Sequence, residues 1–204
     1  MVADRPGRRR VGPQFRGIVG VMRSARALVA ALVLSLSAAA AADDGDIAVR
    51  VRKDGGTIHV SVDCPVRAPA AVAWEVMTDY ENMPKFITNL THSDVRMHMG
   101  NRMQVLQKGK ASRGPLSISF ENMREIELVP KSEIRSKIVA GDTMPAEFVT
   151  RIEERDGMTH VMHTGSYTPS MWVPPGIGTA LIEAETRKQY GEFRGEIVKR
   201  AQSR

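Results

Sequence analysis

Histidine and cysteine are the side chains of this sequence with the most chemistry open to them, as metal ligands, acids, bases or nucleophiles. The histidines are His59, His92, His98, His160 and His163. No two of them are four residues apart, and no group of cysteines accompanies them, so their spacing predicts no metal site. His160 and His163 fall on opposite faces of a predicted strand, which argues against joint ligation. We therefore predict neither a metal nor another cofactor.

Catalytic motifs are also missing from the sequence. It contains no glycine-rich phosphate loop, no G-x-S-x-G and no H-E-x-x-H. Cys64 is the only cysteine, so no internal disulfide can form. It follows Val60 and Val62 at two-residue steps, which predicts a small buried hydrophobic side chain, with a reactive thiol as the alternative. The sequence thus leaves an enzymatic role undecided but favours a protein that is not an enzyme.

The first 42 residues have the composition of a secretory signal peptide. Two arginines precede an apolar run over residues 27–36, and small residues fill the positions up to Ala42. This order is typical of a signal peptide, and the apolar run is too short to span a bilayer. We predict cleavage after Ala42 and an exported, periplasmic or secreted domain over residues 43–204. Met22 is a second candidate for the initiator, and a retained N-terminal anchor is the alternative.

The basic character of the chain belongs to that leader. Residues 1–42 contain seven of the 29 Lys and Arg residues and one of the 23 Asp and Glu residues, so residues 43–204 contain 22 of each. The formal net charge of the remaining chain is therefore zero, which gives no reason to expect a nucleic-acid partner. Its 162 residues suit a single domain with room for a core and a cavity.

Alternation of apolar and polar residues predicts one antiparallel sheet after the leader. Residues 47–51 and 58–62 alternate on both sides of Gly55 and Gly56, which is typical of a hairpin. Further alternating runs with turn residues between them predict strands near residues 93–99, 102–110, 116–121, 134–139, 147–153 and 158–167.

Two short helices are predicted between the second and third strands. Pro69 suits the first turn of a helix, and apolar residues recur at three- and four-residue steps from Val72 to Met77. Asp79 is expected to cap the second helix, because its carboxylate can accept hydrogen bonds from exposed backbone N–H groups. Three aromatic side chains mark this notch: Trp74, Tyr80 and Phe86.

The last segment has the period of a helix. Residues 177–201 contain no proline, and an apolar stripe begins with Ile177 and Ala180. Gly191 and Gly195 lie one turn apart, and each costs about 1 kcal/mol relative to alanine in a helix interior. That cost indicates close approach of the sheet or a ligand to the helix backbone, with a frayed or kinked helix as the alternative.

The run from Pro65 to Val95, with VRAPAAVAWEVMTDYENMPKF at its centre, resembles the opening of the START-like (SRPBCC) superfamily. More narrowly, it resembles the polyketide cyclase/dehydrase and coenzyme-Q-binding branch. The resemblance extends over about residues 47–201. It implies an α+β helix-grip fold, in which a strongly curved antiparallel sheet wraps around a long C-terminal helix with a hydrophobic cavity between them.

The resemblance implies two classes of function. The first is a binding protein that carries a lipid-like or quinone-like molecule unchanged, with transient membrane contact as a further possibility. The second is an aromatase/cyclase-like enzyme, in which His163 or Tyr167 acts as general acid or base in the same cavity. Residues 43–204 contain ten methionines, whose flexible side chains suit a pliable hydrophobic ligand or, equally, fill gaps in a core. We favour the binding protein.

Aromatic residues are the candidates for the cavity wall. The loop before the last helix, with Met171 and Trp172, is expected to gate the cavity or touch a membrane, and a core plug is the alternative. The predicted ligand-binding residues are Trp74, Tyr80, Phe86, Phe120, Phe148, Trp172 and Tyr190.

Overall fold

The structure is a computed structural model, and it describes residues 46–113, 116–169 and 176–204. The strands are β1 (Ala48–Asp54), β2 (Thr57–Val66), β3 (Leu90–Met99), β4 (Arg102–Arg113), β5 (Leu116–Val129), β6 (Glu133–Gly141), β7 (Thr143–Arg155) and β8 (Met158–Pro169). The helices are α1 (Ala70–Thr78), a 3₁₀ helix (Tyr80–Lys85) and α2 (Ile177–Gln202).

All the strands belong to one antiparallel sheet, in the order β1-β2-β8-β7-β6-β5-β4-β3. Strands β3 to β8 follow one another as a meander, and the N-terminal hairpin then joins the last strand, where Ile58 is opposite Tyr167. The sheet is curved, and the arrangement is the α+β helix-grip of START-like proteins. The predicted fold class is therefore confirmed.

The N-terminal hairpin forms where the alternation predicts it. Gly55 has φ = 56°, the left-handed conformation that a tight turn needs and that glycine adopts without steric cost. Along β2 every second side chain is buried, and Cys64 is 1% exposed with its Sγ 3.8 Å from the carbonyl oxygen of Tyr190. The prediction of a buried hydrophobic cysteine is thus confirmed.

The notch between β2 and β3 has the two predicted short helices, but its cap works differently. Asp79 stands at the N-terminus of the 3₁₀ helix without a hydrogen bond from its side chain to the backbone. Its carboxylate instead accepts from Nδ2 of Asn82 at 2.7 Å and from Nη2 of Arg200 at 2.9 Å. A charged partner from α2 competes with the backbone for the carboxylate, so the predicted cap was wrong.

Helix α2 packs along the N-terminal hairpin and α1, and it buries Tyr190, Phe193 and Ile197. Ile177 was predicted to begin the apolar stripe of this helix, but it is 81% exposed. Close approach of the sheet to the glycines was also wrong, because a Cβ added at Gly191 or Gly195 would meet no protein atom within 4 Å, whereas close approach of a ligand stays a prediction. No helix in the described part of the chain is long and apolar enough to cross a membrane.

Candidate functional site

A cavity of about 230 Å³ lies between the curved sheet and α2. Strands β2 to β8, both short helices and α2 all contribute side chains to it. A dry engineered cavity of about 150 Å³ holds benzene, so this volume suits a molecule of about two fused rings. The aliphatic lining consists of Val60, Met77, Met83, Ile87, Leu90, Ile126, Ile134 and Ile182.

Aromatic side chains form much of the remaining wall. The ring centroids of Phe148 and Tyr167 are 6.3 Å apart, and those of Tyr190 and Phe193 are 5.8 Å apart. These separations fall within the range in which tilted aromatic pairs attract one another. The aromatic lining residues are Tyr80, Phe120, Phe148, Tyr167, Tyr190 and Phe193.

Two strand glycines leave space for the phenylalanine rings of this wall. Gly109 of β4 is directly opposite Phe120 of β5, and Gly165 of β8 is opposite Phe148 of β7. A Cβ added at either glycine would lie 2.3 Å from a ring atom of its partner, which is far inside van der Waals contact. Each ring therefore lies across the neighbouring strand, in space that any other residue would fill.

A histidine faces the cavity beside a hydroxyl group and an aromatic ring. His163 Nδ1 and the Thr150 hydroxyl share a hydrogen bond of 2.8 Å, and the imidazole stacks on Phe148 at a centroid distance of 5.2 Å. Burial lowers the pKa of His163 to about 4, and the positive charge of Arg124 acts in the same direction. The imidazole is therefore neutral at physiological pH.

Arg124 is the cation of this cavity. Its Nη1 donates a hydrogen bond to the Ser136 hydroxyl at 3.2 Å, and its guanidinium carbon lies 5.5 Å from the ring centroid of Phe148. Burial lowers the pKa of Arg124, while interaction with Tyr80 and Tyr190 acts against that shift. Within the described residues no carboxylate lies within ion-pair distance of this guanidinium.

The tyrosines around the cavity keep their protons. Burial raises the pKa of Tyr167 to about 12. Burial likewise raises the pKa values of Tyr80 and Tyr190 well above the usual range, and nearby Arg124 only partly opposes this. The phenol groups are therefore neutral hydrogen-bond donors at physiological pH.

Residues 66–194 match the family described as polyketide cyclase/dehydrase and lipid transport. The matched segment is more than half of the chain and includes both short helices and strands β3 to β8. The chain belongs to this family. No functionally curated protein matches the sequence.

Solved structures with the same fold include proteins of different kinds. A protein from Thermus thermophilus has a TM-score of 0.58 at 15% identity, with 71% of this chain and 97% of that one covered. The Zhui aromatase/cyclase of a Streptomyces species gives 0.57 at 14%, with 72% and 94% covered. A STAR-related lipid transfer protein from Xanthomonas axonopodis gives 0.56 at 8%, with 75% and 99% covered. At these identities the likeness establishes the fold alone.

The structure brings together four of the seven predicted ligand-binding residues, since Tyr80, Phe120, Phe148 and Tyr190 all line the cavity. Trp74 does not: it is partly buried against the core, outside the lining. Trp172 lies outside the described residues, so its role as gate or plug stays a prediction. That the four lining residues bind a ligand also stays a prediction.

Phe86 is the remaining predicted residue, and it lies outside the lining, in a neighbouring cluster that shares Phe193 with the cavity wall. Its ring meets Phe193 edge-on at 6.0 Å, and the guanidinium carbon of Arg200 lies 5.5 Å from its centroid. Arg200 donates to Asp79 at 2.9 Å and to Glu196 at 2.8 Å. We call these five residues the Arg200 cluster; the ion pairs and the aromatic contact hold the end of α2 against the 3₁₀ helix.

Two of the methionines, Met77 and Met83, line the cavity. Others lie on the surface, where Met97 is 39% and Met99 is 64% exposed. The methionine content of the sequence therefore reflects several environments, and the two lining side chains provide the flexible part of the wall. In the described ranges no group of three or more His, Cys, Asp and Glu side chains is placed to hold a metal ion.

The polar side of the cavity was missed by the sequence analysis, although a signal for it exists. Arg124 follows Phe120 by four residues and precedes Ile126 by two on β5, so the three share one face of the strand. An arginine in the middle of an apolar strand face is unusual and indicates a buried polar role. The same two-residue period places His163 and Tyr167 on one face of β8.

Proposed function

We propose that this protein is an exported binding protein for a small hydrophobic molecule, lipid-like or quinone-like, held between the sheet and α2. The observation that supports this best is the cavity of about 230 Å³, lined mainly by aliphatic and aromatic side chains. Cavities of this composition are typical of ligand sites, in which apolar walls supply affinity and a few polar groups supply orientation.

Binding without catalysis fits the protonation states of the cavity. A general acid or base works best when its pKa lies near the working pH. The pKa of His163 is lowered to about 4 and that of Tyr167 is raised to about 12. Both groups therefore hold one protonation state throughout the neutral range, which suits hydrogen bonding to a ligand more than proton transfer.

An aromatase/cyclase-like enzyme is the second candidate function. It is favoured by the shared fold with the Zhui aromatase/cyclase and by the position of His163 and Tyr167 on the cavity wall. The two candidates differ in what they release, because a carrier returns its ligand unchanged. Mass spectrometry of the co-purified molecule before and after incubation separates them: a new mass supports the enzyme, and an unchanged mass supports the carrier.

Export is part of the proposal and rests on the leader. A basic start, a short apolar run and small residues up to Ala42 are the features that signal peptidase substrates share. N-terminal sequencing of protein from the periplasm or the medium is expected to begin at Asp43. A chain found in the cytoplasm with residues 23–36 intact would contradict export.

A cavity-filling variant tests the binding site itself. Ile182→Trp on α2 adds volume at the cavity wall, and Ile177→Trp makes the same change at an exposed position of the same helix. The probe is 2-naphthamide, a neutral bicyclic molecule of suitable size. We expect calorimetry to show binding to residues 43–204 of the wild type and of Ile177→Trp, and none to folded Ile182→Trp.

Two results would contradict this site. If 2-naphthamide binds folded Ile182→Trp as tightly as wild type, it binds elsewhere. If neither 2-naphthamide nor a co-purified apolar molecule binds the wild type, the cavity is a packing defect and not a ligand site. Overpacking at residue 182 costs about 1–3 kcal/mol, so circular dichroism of each variant accompanies the measurement.

A further inference from the structure

We propose that the natural ligand is a monoanion, an apolar molecule with a single carboxylate, and that its carboxylate pairs with Arg124 inside the cavity. This inference rests on the proposed binding function and specifies its ligand class. It concerns the polar side of the site, opposite in character to the aliphatic wall.

The first support is the unbalanced charge of Arg124. Its close neighbours are neutral: the Ser136 hydroxyl at 3.2 Å and the ring of Phe148 at 5.5 Å. A guanidinium has five N–H donors in a planar fork, which suits the two oxygens of a carboxylate. No Asp or Glu of the described chain is within ion-pair distance, so the charge has no counter-ion from that part of the fold.

The second support is the contrast with Arg200, which also lies 5.5 Å from a phenylalanine ring. Arg200 is paired with Asp79 and Glu196, at 2.9 and 2.8 Å. The fold thus supplies two carboxylates to the arginine that it uses for packing. Among the described residues it supplies none to the arginine that faces the cavity, where a bound carboxylate completes the pair.

The third support is the set of donors around Arg124. Tyr80 and Tyr190 line the same cavity and each interacts electrostatically with Arg124. Their phenols stay protonated and can donate to carboxylate oxygens. One cation among neutral donors matches a single negative charge, whereas a phosphate monoester has about −1.5 to −2 and would leave negative charge unbalanced.

A pair of nearly isosteric probes tests the charge preference. 2-Naphthamide has a carboxamide where 2-naphthoate has a carboxylate. The ratio of their Kd values therefore measures the preference of the site for the negative charge. At neutral pH we expect the wild type to bind 2-naphthoate about ten- to a hundred-fold more tightly, the range typical of hydrogen bonds to charged groups. Because Arg124 is buried, the preference should persist when the salt concentration is raised.

Arg124→Met should remove the preference and keep the binding of 2-naphthamide. Arg102→Met is the matched control, because it removes one positive charge from an exposed position, 70% accessible, on the neighbouring strand. The control is expected to retain the wild-type ratio. Should Arg124→Met fail to fold, Arg124→Lys keeps the charge but not the planar fork, and we expect a reduced ratio that stays above one.

Each outcome decides between the two proposals. Equal Kd values for the two probes in the wild type, or an unchanged ratio in Arg124→Met, would overturn the carboxylate inference and leave the hydrophobic site intact. A ratio that falls equally in Arg102→Met would attribute the preference to the surface and overturn it as well. Failure of both probes to bind the wild type would overturn the binding function, and the inference with it.

Discussion

Arg124 and Arg200 lie against phenylalanine rings at the same distance, 5.5 Å, but in opposite electrostatic surroundings. Arg200 joins α2 to the 3₁₀ helix and is paired with two carboxylates. Arg124 borders the cavity and has a hydroxyl and an aromatic ring as its partners. The chain supplies carboxylates to Arg200, whereas the described residues supply none to Arg124.

This contrast separates the part of the interior that stabilises the fold from the part that we propose binds a ligand. In the Arg200 cluster the cation has two acceptors within the chain, and Ile197, next to Glu196 in the sequence, is fully buried. Around the cavity a charge and several hydroxyl groups face unfilled volume. Burial of an unpaired charge costs free energy, so such an arrangement is retained where it serves function.

The largest expected effect compares the same substitution in the two regions. Ile197→Ala removes a fully buried side chain near the Arg200 cluster and is expected to cost about 2–5 kcal/mol. Ile182→Ala, on the same helix, removes a partly buried side chain beside space that is already empty, and we expect a cost of about 1 kcal/mol. Thermal unfolding of both variants measures the difference; equal costs would show that α2 packs uniformly.

Acid should weaken the cavity region before it affects the Arg200 cluster. The folded state lowers the pKa of His163 from 6.5 to about 4, so between these values the unfolded chain binds a proton that the folded chain does not. Stability from this group is present above pH 6.5 and is lost as the pH falls towards 4. Between pH 7 and pH 5 the loss is about 2 kcal/mol.

His163→Gln isolates that effect, because glutamine keeps a hydrogen-bonding group but does not titrate. Urea unfolding at pH 7 and pH 5 should show a smaller pH dependence in the variant by about 2 kcal/mol. Glu196 of the Arg200 cluster has a lowered pKa, since its hydrogen bonds to Arg200 and Lys199 outweigh the opposing effect of burial. Its contribution is therefore lost only at more acidic pH, below its usual pKa. Identical pH profiles in wild type and variant would contradict the neutral buried imidazole.

The smallest expected effect is the change in the free energy of unfolding when each of the two arginines is replaced by methionine. Arg200→Met leaves Asp79 without its cation and Glu196 with Lys199 alone, and it should cost about 1–2 kcal/mol, since the pairs are only partly exposed. Arg124→Met replaces an unpaired charge by an apolar side chain of similar length and should leave stability unchanged or raise it. A cost for Arg124→Met equal to that of Arg200→Met would show that Arg124 serves the fold.

Most of the fold follows from local patterns in the sequence. Alternation predicts the strands of the sheet, and it is clearest in β2, where one face is buried and the pattern has a period of two. The predicted helix over residues 177–201 matches α2, which is Ile177–Gln202. The predicted facing of its first turn was wrong because Ile177 is 81% exposed and is not packed against the described core. That is a property of the assembled fold and not of the helix pattern.

The site was less predictable, for a physical reason. Aromatic type identified four wall residues, but type alone does not tell Phe86, which faces the Arg200 cluster, from Phe148, which faces the cavity. The sequence predicted close approach to the backbone at Gly191 and Gly195, but Cβ atoms added at these glycines meet open space. The glycines under close contact are Gly109 and Gly165, and only cross-strand register reveals the rings opposite them.

The order of the strands has a consequence for how the cavity closes during folding. Strands β3 to β8 pair with their neighbours in sequence, so their hairpins form through short loops. The β1–β2 hairpin is local, but its pairing with β8 joins Ile58 to Tyr167, far along the chain, so we expect it to dock after the meander, and α2 to dock last. Long-range pairing is slow because the entropy of closing a long loop opposes it.

The elements that we expect to dock last, β2 and α2, supply Val60, Ile182 and Tyr190 to the cavity wall. Before they dock, the sheet would be an open trough, and their docking would turn it into the cavity. A ligand present at that moment would be surrounded as the chain folds. Refolding in the presence of 2-naphthamide is expected to give loaded protein faster than adding the probe to the folded chain, and equal rates would place the opening in the native state instead.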